Sequence, residues 1–318
     1  MNEAYYRPVS IEAIEPDIFP AMPLYLRRDG NHVLYKGPEQ RFAVTDRIRL
    51  EKNNVEFLYV RTGDLEELTE QLEASLPAML GREDISGTAK GKILYQTAIN
   101  YLDDLFTEPE RTANAARCRD IAASLVRYAT TERRALAAIA SVVPHNYYTF
   151  VHSIQVTALA LMLHADLGHP GDDPVEVAIG SLLHDFGMAF IPREIINQPH
   201  SLKDVEYLKI KQHPQFGYDY LEKLGVYGDT PLAVVRLHHE RSDGTGYPLQ
   251  LKGNAIPHAV QLVSLCDVYC ALTTDRPYRK ATGHSDAVRL MREELRGAFD
   301  REMFRNFESL MGRIVENG

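Results

Sequence analysis

Residues 1–62 carry short apolar runs separated by turn residues. Pro20-Ala21-Met22-Pro23-Leu24-Tyr25-Leu26 leads to Arg28-Asp29-Gly30-Asn31, and His32-Val33-Leu34-Tyr35 leads to Gly37-Pro38. Val55-Glu56-Phe57-Leu58-Tyr59-Val60 alternates as a half-buried strand does. The pattern predicts a small β-rich module over 1–62. From Asp64 the period lengthens. Leu65, Leu68, Leu72 and Leu76 share one helical face, and Pro77 is expected to bend or end that helix. Residues 63–141 are rich in Ala, Leu, Ile and charge, with a break near Thr107-Glu108-Pro109, and read as a helical connector. Beyond 142 the apolar segments 177–183, 232–237 and 260–272 read as buried helices, so 142–318 is expected to be a helical bundle.

Polar residues interrupt those buried segments at informative places. His184-Asp185 ends the first and His238-His239 ends the second, while Asp267 sits inside the third; His152 and His213 complete the set. A single such histidine is most simply a hydrogen-bonded core residue. Seven imidazoles and carboxylates converging from five apolar segments are costly to bury unless a cation satisfies them. Mixed imidazole and carboxylate donors without cysteine do not suit a structural tetrahedral zinc site; they suit iron or manganese with open positions.

The chain resembles the HD-GYP branch of the HD phosphohydrolase superfamily over roughly residues 142–312. His184-Asp185-Phe186-Gly187 is similar to the HDxGK signature, and residues 238–248, His-His-Glu-Arg-Ser-Asp-Gly-Thr-Gly-Tyr-Pro, match HHExxDGxGYP in full. Asp267-Val268-Tyr269 and residues 273–279 resemble the segment that follows. The resemblance implies a mainly α fold, an HD-type bundle preceded by the small β-containing module. It implies a metal-dependent phosphodiesterase that hydrolyses cyclic di-GMP to pGpG, GMP or both. By position it makes His152, His184, Asp185, His213, His238, His239 and Asp267 metal ligands, with Asp185 bridging two ions, iron before manganese. It also implies that Tyr247 and Gly246 shape the substrate pocket, and that Arg276 and Arg279 contact phosphate or guanine alongside the catalytic Asp185.

Composition narrows the rest. The 318 residues carry a formal net charge of −9, which disfavours a sequence-independent grip on long nucleic acids. A local cationic centre can still take a small phosphodiester, since two carboxylates do not cancel two divalent ions. Three cysteines do not suit a disulfide framework. No signal peptide and no membrane span are read, and the expected location is cytoplasmic. A related cyclic dinucleotide such as 3′,3′-cyclic GMP-AMP, or linear pGpG, stays open as substrate. So do a catalytically weak nucleotide receptor, a protein partner at the GYP loop, and a homodimer through the connector helices.

Three positions depart from the family pattern. Met188 stands where HDxGK has lysine. Tyr148 stands one turn before His152, where members with three metals carry glutamate, so two ions are expected. Cys270 stands where an aspartate usually follows Asp267; with Cys266 it reads first as a pair of small buried residues. A lost charge-assisted hydrogen bond is worth ~1.5–3 kcal/mol, so Met188 is expected to slow turnover. Met188→Lys should then raise the rate of cyclic dinucleotide hydrolysis roughly tenfold or more, as measured by product chromatography; an unchanged rate would show that the charge is supplied from elsewhere.

Overall fold

The computed structural model describes residues 6–11, 14, 16, 19–109, 115–132, 148–169, 171–196, 203–274 and 280–316. The chain divides into two compact units, Met1–Leu102 and Asp103–Gly318.

In the first unit four strands form an antiparallel sheet of order β1-β4-β2-β3. The strands are β1 (Tyr6–Ser10), β2 (Leu24–Arg28), β3 (Asn31–Lys36) and β4 (Phe57–Arg61). The two-residue turn at Asp29 and Gly30, both with positive φ, closes the β2–β3 hairpin. Val9, Leu24, Leu58 and Val60 face Leu65, Leu68 and Leu72 of helix α2 (Leu65–Leu80), which makes the core of this unit. A helix, α1 (Val44–Lys52), lies between β3 and β4 where the apolar pattern gave no helical period. Only Leu50 and Asp46 of it are buried, so it has no apolar stripe to read. Charge and capping hold it. The Asp46 carboxylate accepts from the Ala43 N–H at 2.8 Å, pairs with Lys36 at 2.5 Å and with Arg49 at 2.8 Å. Burial pushes the Asp46 carboxyl up, but the Lys36 and Ala43 hydrogen bonds outweigh it and leave the group below its ordinary range.

Of the two outcomes expected at Pro77, a bend or an end, the end does not occur: the helix runs on to Leu80. A proline inside a helix costs ~3 kcal/mol. Burial of Met79 and Leu80 beyond it, at ~1.5–3 kcal/mol for each side chain, offsets that cost. Helix α3 (Gly87–Thr107) follows and ends where Thr107-Glu108-Pro109 is expected to break it.

In the second unit the described helices are α4 (Ala115–Thr131), α5 (Tyr148–Leu167), α6 (Pro174–Leu183), α7 (Arg193–Ile196), α8 (Asp204–Ile210), α9 (His213–Leu224), α10 (Asp229–Leu237), α11 (His258–Thr273), α12 (His284–Glu293) and α13 (Arg301–Glu316). Helix α6 is the centre, packed by α4, α5 and α10. Its start is written locally: the Asp173 side chain accepts from the Val175 N–H at 2.8 Å, and Pro174 occupies the first turn. Every residue from Val177 to Leu183 is buried. Helix α5 is the one described helix long and apolar enough to cross a bilayer, yet 72% of its apolar window is buried inside the protein, where α6, α11 and α13 cover it.

After α6 the chain makes one short 3-10 helix, Phe186–Phe190, packed on α9. Gly187 is what lets the two meet. A Cβ there would lie 1.8 Å from the His213 carbonyl oxygen and 2.7 Å from the Gly217 nitrogen, and both are backbone atoms that cannot swing aside. Gly187→Ala should therefore lower stability by ~1–3 kcal/mol or more, seen as a lower midpoint in thermal unfolding, and should spread the elements that carry Asp185 and His213.

Candidate metal centre

The ends of these helices deliver the polar residues to one place. His184 caps the C-terminus of α6, and Asp185 follows it into the 3-10 helix. His213 opens α9, His238 and His239 follow α10, His152 lies in α5 and Asp267 in α11. His184 and His238 are fully buried, and His152, His213 and Asp267 nearly so.

Three of the imidazoles are oriented in the same way. His184 Nδ1 lies 2.7 Å from the Ser181 carbonyl, His213 Nδ1 2.8 Å from that of Ile210, and His238 Nδ1 3.0 Å from that of Val235. A carbonyl only accepts, so each Nδ1 carries the proton and each Nε2 of the neutral ring presents a lone pair. Those lone pairs converge. His213 Nε2 and His238 Nε2 are 3.1 Å apart, and they lie 3.2 and 3.8 Å from Asp185 Oδ1. His184 Nε2 is buried without a hydrogen-bond partner, 3.6 Å from Asp185 Oδ2.

The donor atoms fall into two groups that share one residue. Asp185, His213, His238 and His239 form the first; His152, His184 and Asp185 form the second. Asp267 joins neither outright but touches both, its Oδ1 3.0 Å from His152 Nε2 and its Oδ2 3.7 Å from His239 Nδ1. Burial pushes the Asp185 carboxyl up, but the charge that His184 and His213 can carry outweighs it and holds the group well below the ordinary range. Asp267 is also held low, mainly by His152 and His239. Burial drives His238 the other way, to about 3, and depresses His239 as well. The pocket therefore brings carboxylates that stay ionised together with imidazoles that burial keeps from protonating at His238 and His239, and the His213 and His238 Nε2 atoms face one another. That arrangement fits divalent cations, which satisfy the orphaned His184 nitrogen and the opposed His213 and His238 nitrogens together.

The signature loop supports this floor. Tyr247 stacks on His239 with ring centroids 4.6 Å apart. The Glu240 carboxylate is buried and accepts from the Leu249 N–H at 2.6 Å and the Leu251 N–H at 2.9 Å, while Asp243 Oδ1 accepts from the Thr245 N–H and hydroxyl. Both acids fix the loop rather than the histidines. Gly246 permits a close approach, but to the chain itself: a Cβ would meet the Arg241 nitrogen at 2.4 Å. Cys266 and Cys270 are buried thiols with acidities suppressed by burial, which agrees with packing residues. The 3-10 helix carries Met188. Arg276 and Arg279 lie outside the described residues, and so does the Tyr148 side chain.

One cluster escaped the sequence reading. His169, Asp172 and His258 come together: His258 Nδ1 is 2.6 Å from Asp172 Oδ2, and the two imidazoles stack at 4.0 Å. His169 and Asp172 are near in sequence, but nothing local ties them to His258, which is brought in from the start of α11.

The chain is similar to known proteins. Residues 113–303 match the HD domain family, and the chain belongs to it; the complete HHExxDGxGYP loop puts it in the HD-GYP branch. A cyclic di-GMP phosphodiesterase of Pseudomonas aeruginosa, PA4108, is 36% identical over 202 residues, 63% of this chain and 48% of that protein. The 3′3′-cGAMP-specific phosphodiesterase 1 of Vibrio cholerae is 34% identical over 159 residues, 49% of this chain and 36% of that protein. The chain thus spans half or less of the length of these curated relatives. In fold it is similar to the solved structure of Bd1817, described as an HDG"Y"P protein from Bdellovibrio bacteriovorus, with a TM-score of 0.72 over 96% of this chain and 99% of that one at 18% identity.

The depressed imidazoles set a pH dependence for metal-stripped protein. The unfolded chain binds protons at His238 from about pH 6.5 downward, while the folded chain refuses one until about pH 3. Stability must then fall as pH drops through that window. The lowered Asp185 and Asp267 act in the same direction, since their contribution is present above their unfolded values near 4 and lost below. Thermal midpoints of the chelated protein should fall steadily from pH 7 to pH 4, and His238→Gln should flatten the upper part of that slope.

Proposed function

We propose that the chain is a binuclear metal-dependent phosphodiesterase that hydrolyses cyclic di-GMP to pGpG, GMP or both. The observation that carries the reading is the pair of donor groups sharing Asp185, on a fold whose relatives include named cyclic di-GMP phosphodiesterases. His213, His238 and His239 would hold one ion and His152 and His184 the other, with Asp185 between them and Asp267 reaching both. Iron is favoured by the family resemblance and manganese is the alternative, since imidazole and carboxylate donors suit both. When bound, such ions supply a nucleophile from water at neutral pH and stabilise charge on the phosphoryl oxygens.

The chain's own residues do the rest. The carbonyls of Ser181, Ile210 and Val235 hold three imidazoles in the ligating tautomer before any ion arrives. Tyr247 is kept neutral by burial, so its ring offers a flat, uncharged wall beside His239. Arg276 and Arg279 remain assigned to phosphate or guanine by their place in the family pattern. The absence of a lysine at Met188 is read as a slower rate rather than loss of function. Three buried free cysteines accord with a reducing, cytoplasmic site of action. The relatives specific for 3′,3′-cyclic GMP-AMP make that nucleotide the second substrate to assay.

Anaerobically purified protein loaded with Fe(II) or Mn(II) should convert cyclic di-GMP to pGpG or GMP and stop when chelated. Elemental analysis should approach two ions per chain. The double variant His184→Ala, Asp185→Ala should lose both the metal and the turnover. Normal metal content in that variant would overturn the ligand assignment, and turnover of 3′,3′-cyclic GMP-AMP alone would overturn the substrate.

A further inference from the structure

The site described so far has an electrostatic gap. Its substrate class carries two anionic phosphodiesters, and the position after Gly187 that would offer a cation is Met188. The chain carries a second cation close by. Lys211, two residues before His213, holds its ammonium 4.8 Å above the Tyr247 ring and 4.9 Å above the Tyr207 ring. Tyr247 is itself stacked on His239 at 4.6 Å. The ammonium therefore stands one aromatic layer out from a proposed ligand, on the loop that forms the wall of the pocket.

Two features mark this lysine off from an ordinary surface one. It has no carboxylate within ion-pair distance among the described residues, although the chain is acidic overall. Its charge is met by two aromatic faces, which attract a cation without neutralising it. It is also tied to the segment that lacks the charge. Gly187 packs directly on the backbone of His213, so the strand of chain carrying Met188 and the one carrying Lys211 meet at that contact. A four-carbon stem spans several ångströms from there, and an ammonium is a mobile point charge suited to phosphate.

We propose that Lys211 is a substrate-contacting residue: it leaves the faces of Tyr207 and Tyr247 to pair with a phosphodiester of the bound cyclic dinucleotide, and so supplies the charge that Met188 does not. This assignment rests on the phosphodiesterase reading above. It gives the tyrosines a second task, that of parking the cation at the pocket wall until the anion arrives.

The test uses the full chain loaded with Mn(II), cyclic di-GMP for turnover, and a hydrolysis-resistant phosphorothioate analogue of cyclic di-GMP for binding. Lys211→Met should lower kcat/KM at least tenfold, weaken analogue binding to a similar degree, and flatten the dependence of kcat/KM on salt, all with metal content unchanged. Lys211→Arg should recover most of the loss. The double variant Lys211→Met, Met188→Lys should regain activity over Lys211→Met alone, because the charge returns from the neighbouring segment; a lysine that merely packs against two tyrosines would not be rescued from position 188. Full activity and unchanged salt dependence in Lys211→Met, with the unsubstituted chain active, would overturn the assignment and leave the phosphodiesterase reading standing. If the unsubstituted chain neither turns over cyclic di-GMP nor binds the analogue, both fall together. If it binds without turnover, weaker binding by Lys211→Met upholds the lysine and overturns the enzyme.

Discussion

The centre depends on a backbone hydrogen bond made three times. At His184, His213 and His238 the ring nitrogen Nδ1 is given to a carbonyl three residues earlier in the chain. Each such bond is worth little by itself, ~0.5–1.5 kcal/mol net. Its consequence is directional. It decides which nitrogen keeps a lone pair, and it aims that lone pair at Asp185. Each of the three histidines stands where a helix ends or begins, where backbone carbonyls are free of the helical ladder and available to hold a side chain. The bundle is thus less a container for the site than a set of helix ends brought to a common point by the packing of α6.

The buried charge follows from this geometry. A carboxylate sealed among apolar helices would ordinarily take up a proton, and a histidine so placed would give one up. Here His238 behaves as burial dictates while Asp185 and Asp267 do not. The carboxylates stay ionised because hydrogen bonds and charge from the surrounding imidazoles outweigh burial, while His238 and His239 resist protonation because they are buried and crowd other imidazoles. Neither set is comfortable alone. The mismatch is the physical content of the statement that these residues fit a cation, and it lies in the protein before any ion is considered.

Much of this was legible in the sequence, for identifiable reasons. The bundle could be read because its helices are continuously apolar where they are buried, and the site because its polar residues break that pattern at helix ends. The loop of residues 238–248 could be read because it is contiguous. What stayed hidden lacked one of those properties. Helix α1 is held by Asp46 and its partners rather than by an apolar stripe, so no period betrays it. Helix α2 outlasts Pro77 because of what Met79 and Leu80 bury, which no local rule weighs. Glu240 and Asp243 could not be told apart as histidine partners or loop supports until the N–H groups of Leu249, Leu251 and Thr245 were seen to point at them. His258 meets Asp172 only through tertiary packing.

Helix α5 carries a consequence for the order in which the protein is made. It is apolar enough to resemble a bilayer span, and it is hidden because α6, α11 and α13 lie against it. All three of these come later in the chain. At ordinary elongation rates the ribosome needs on the order of ten seconds to pass from the end of α5 to the start of α13. During that interval the helix bearing His152 is a sticky, half-clothed segment with only its earlier neighbour α4 and then α6 to shelter it. A fold that brings its ligands from distant points of the chain thus leaves its one described helix of bilayer length and apolarity waiting for the partners that cover it.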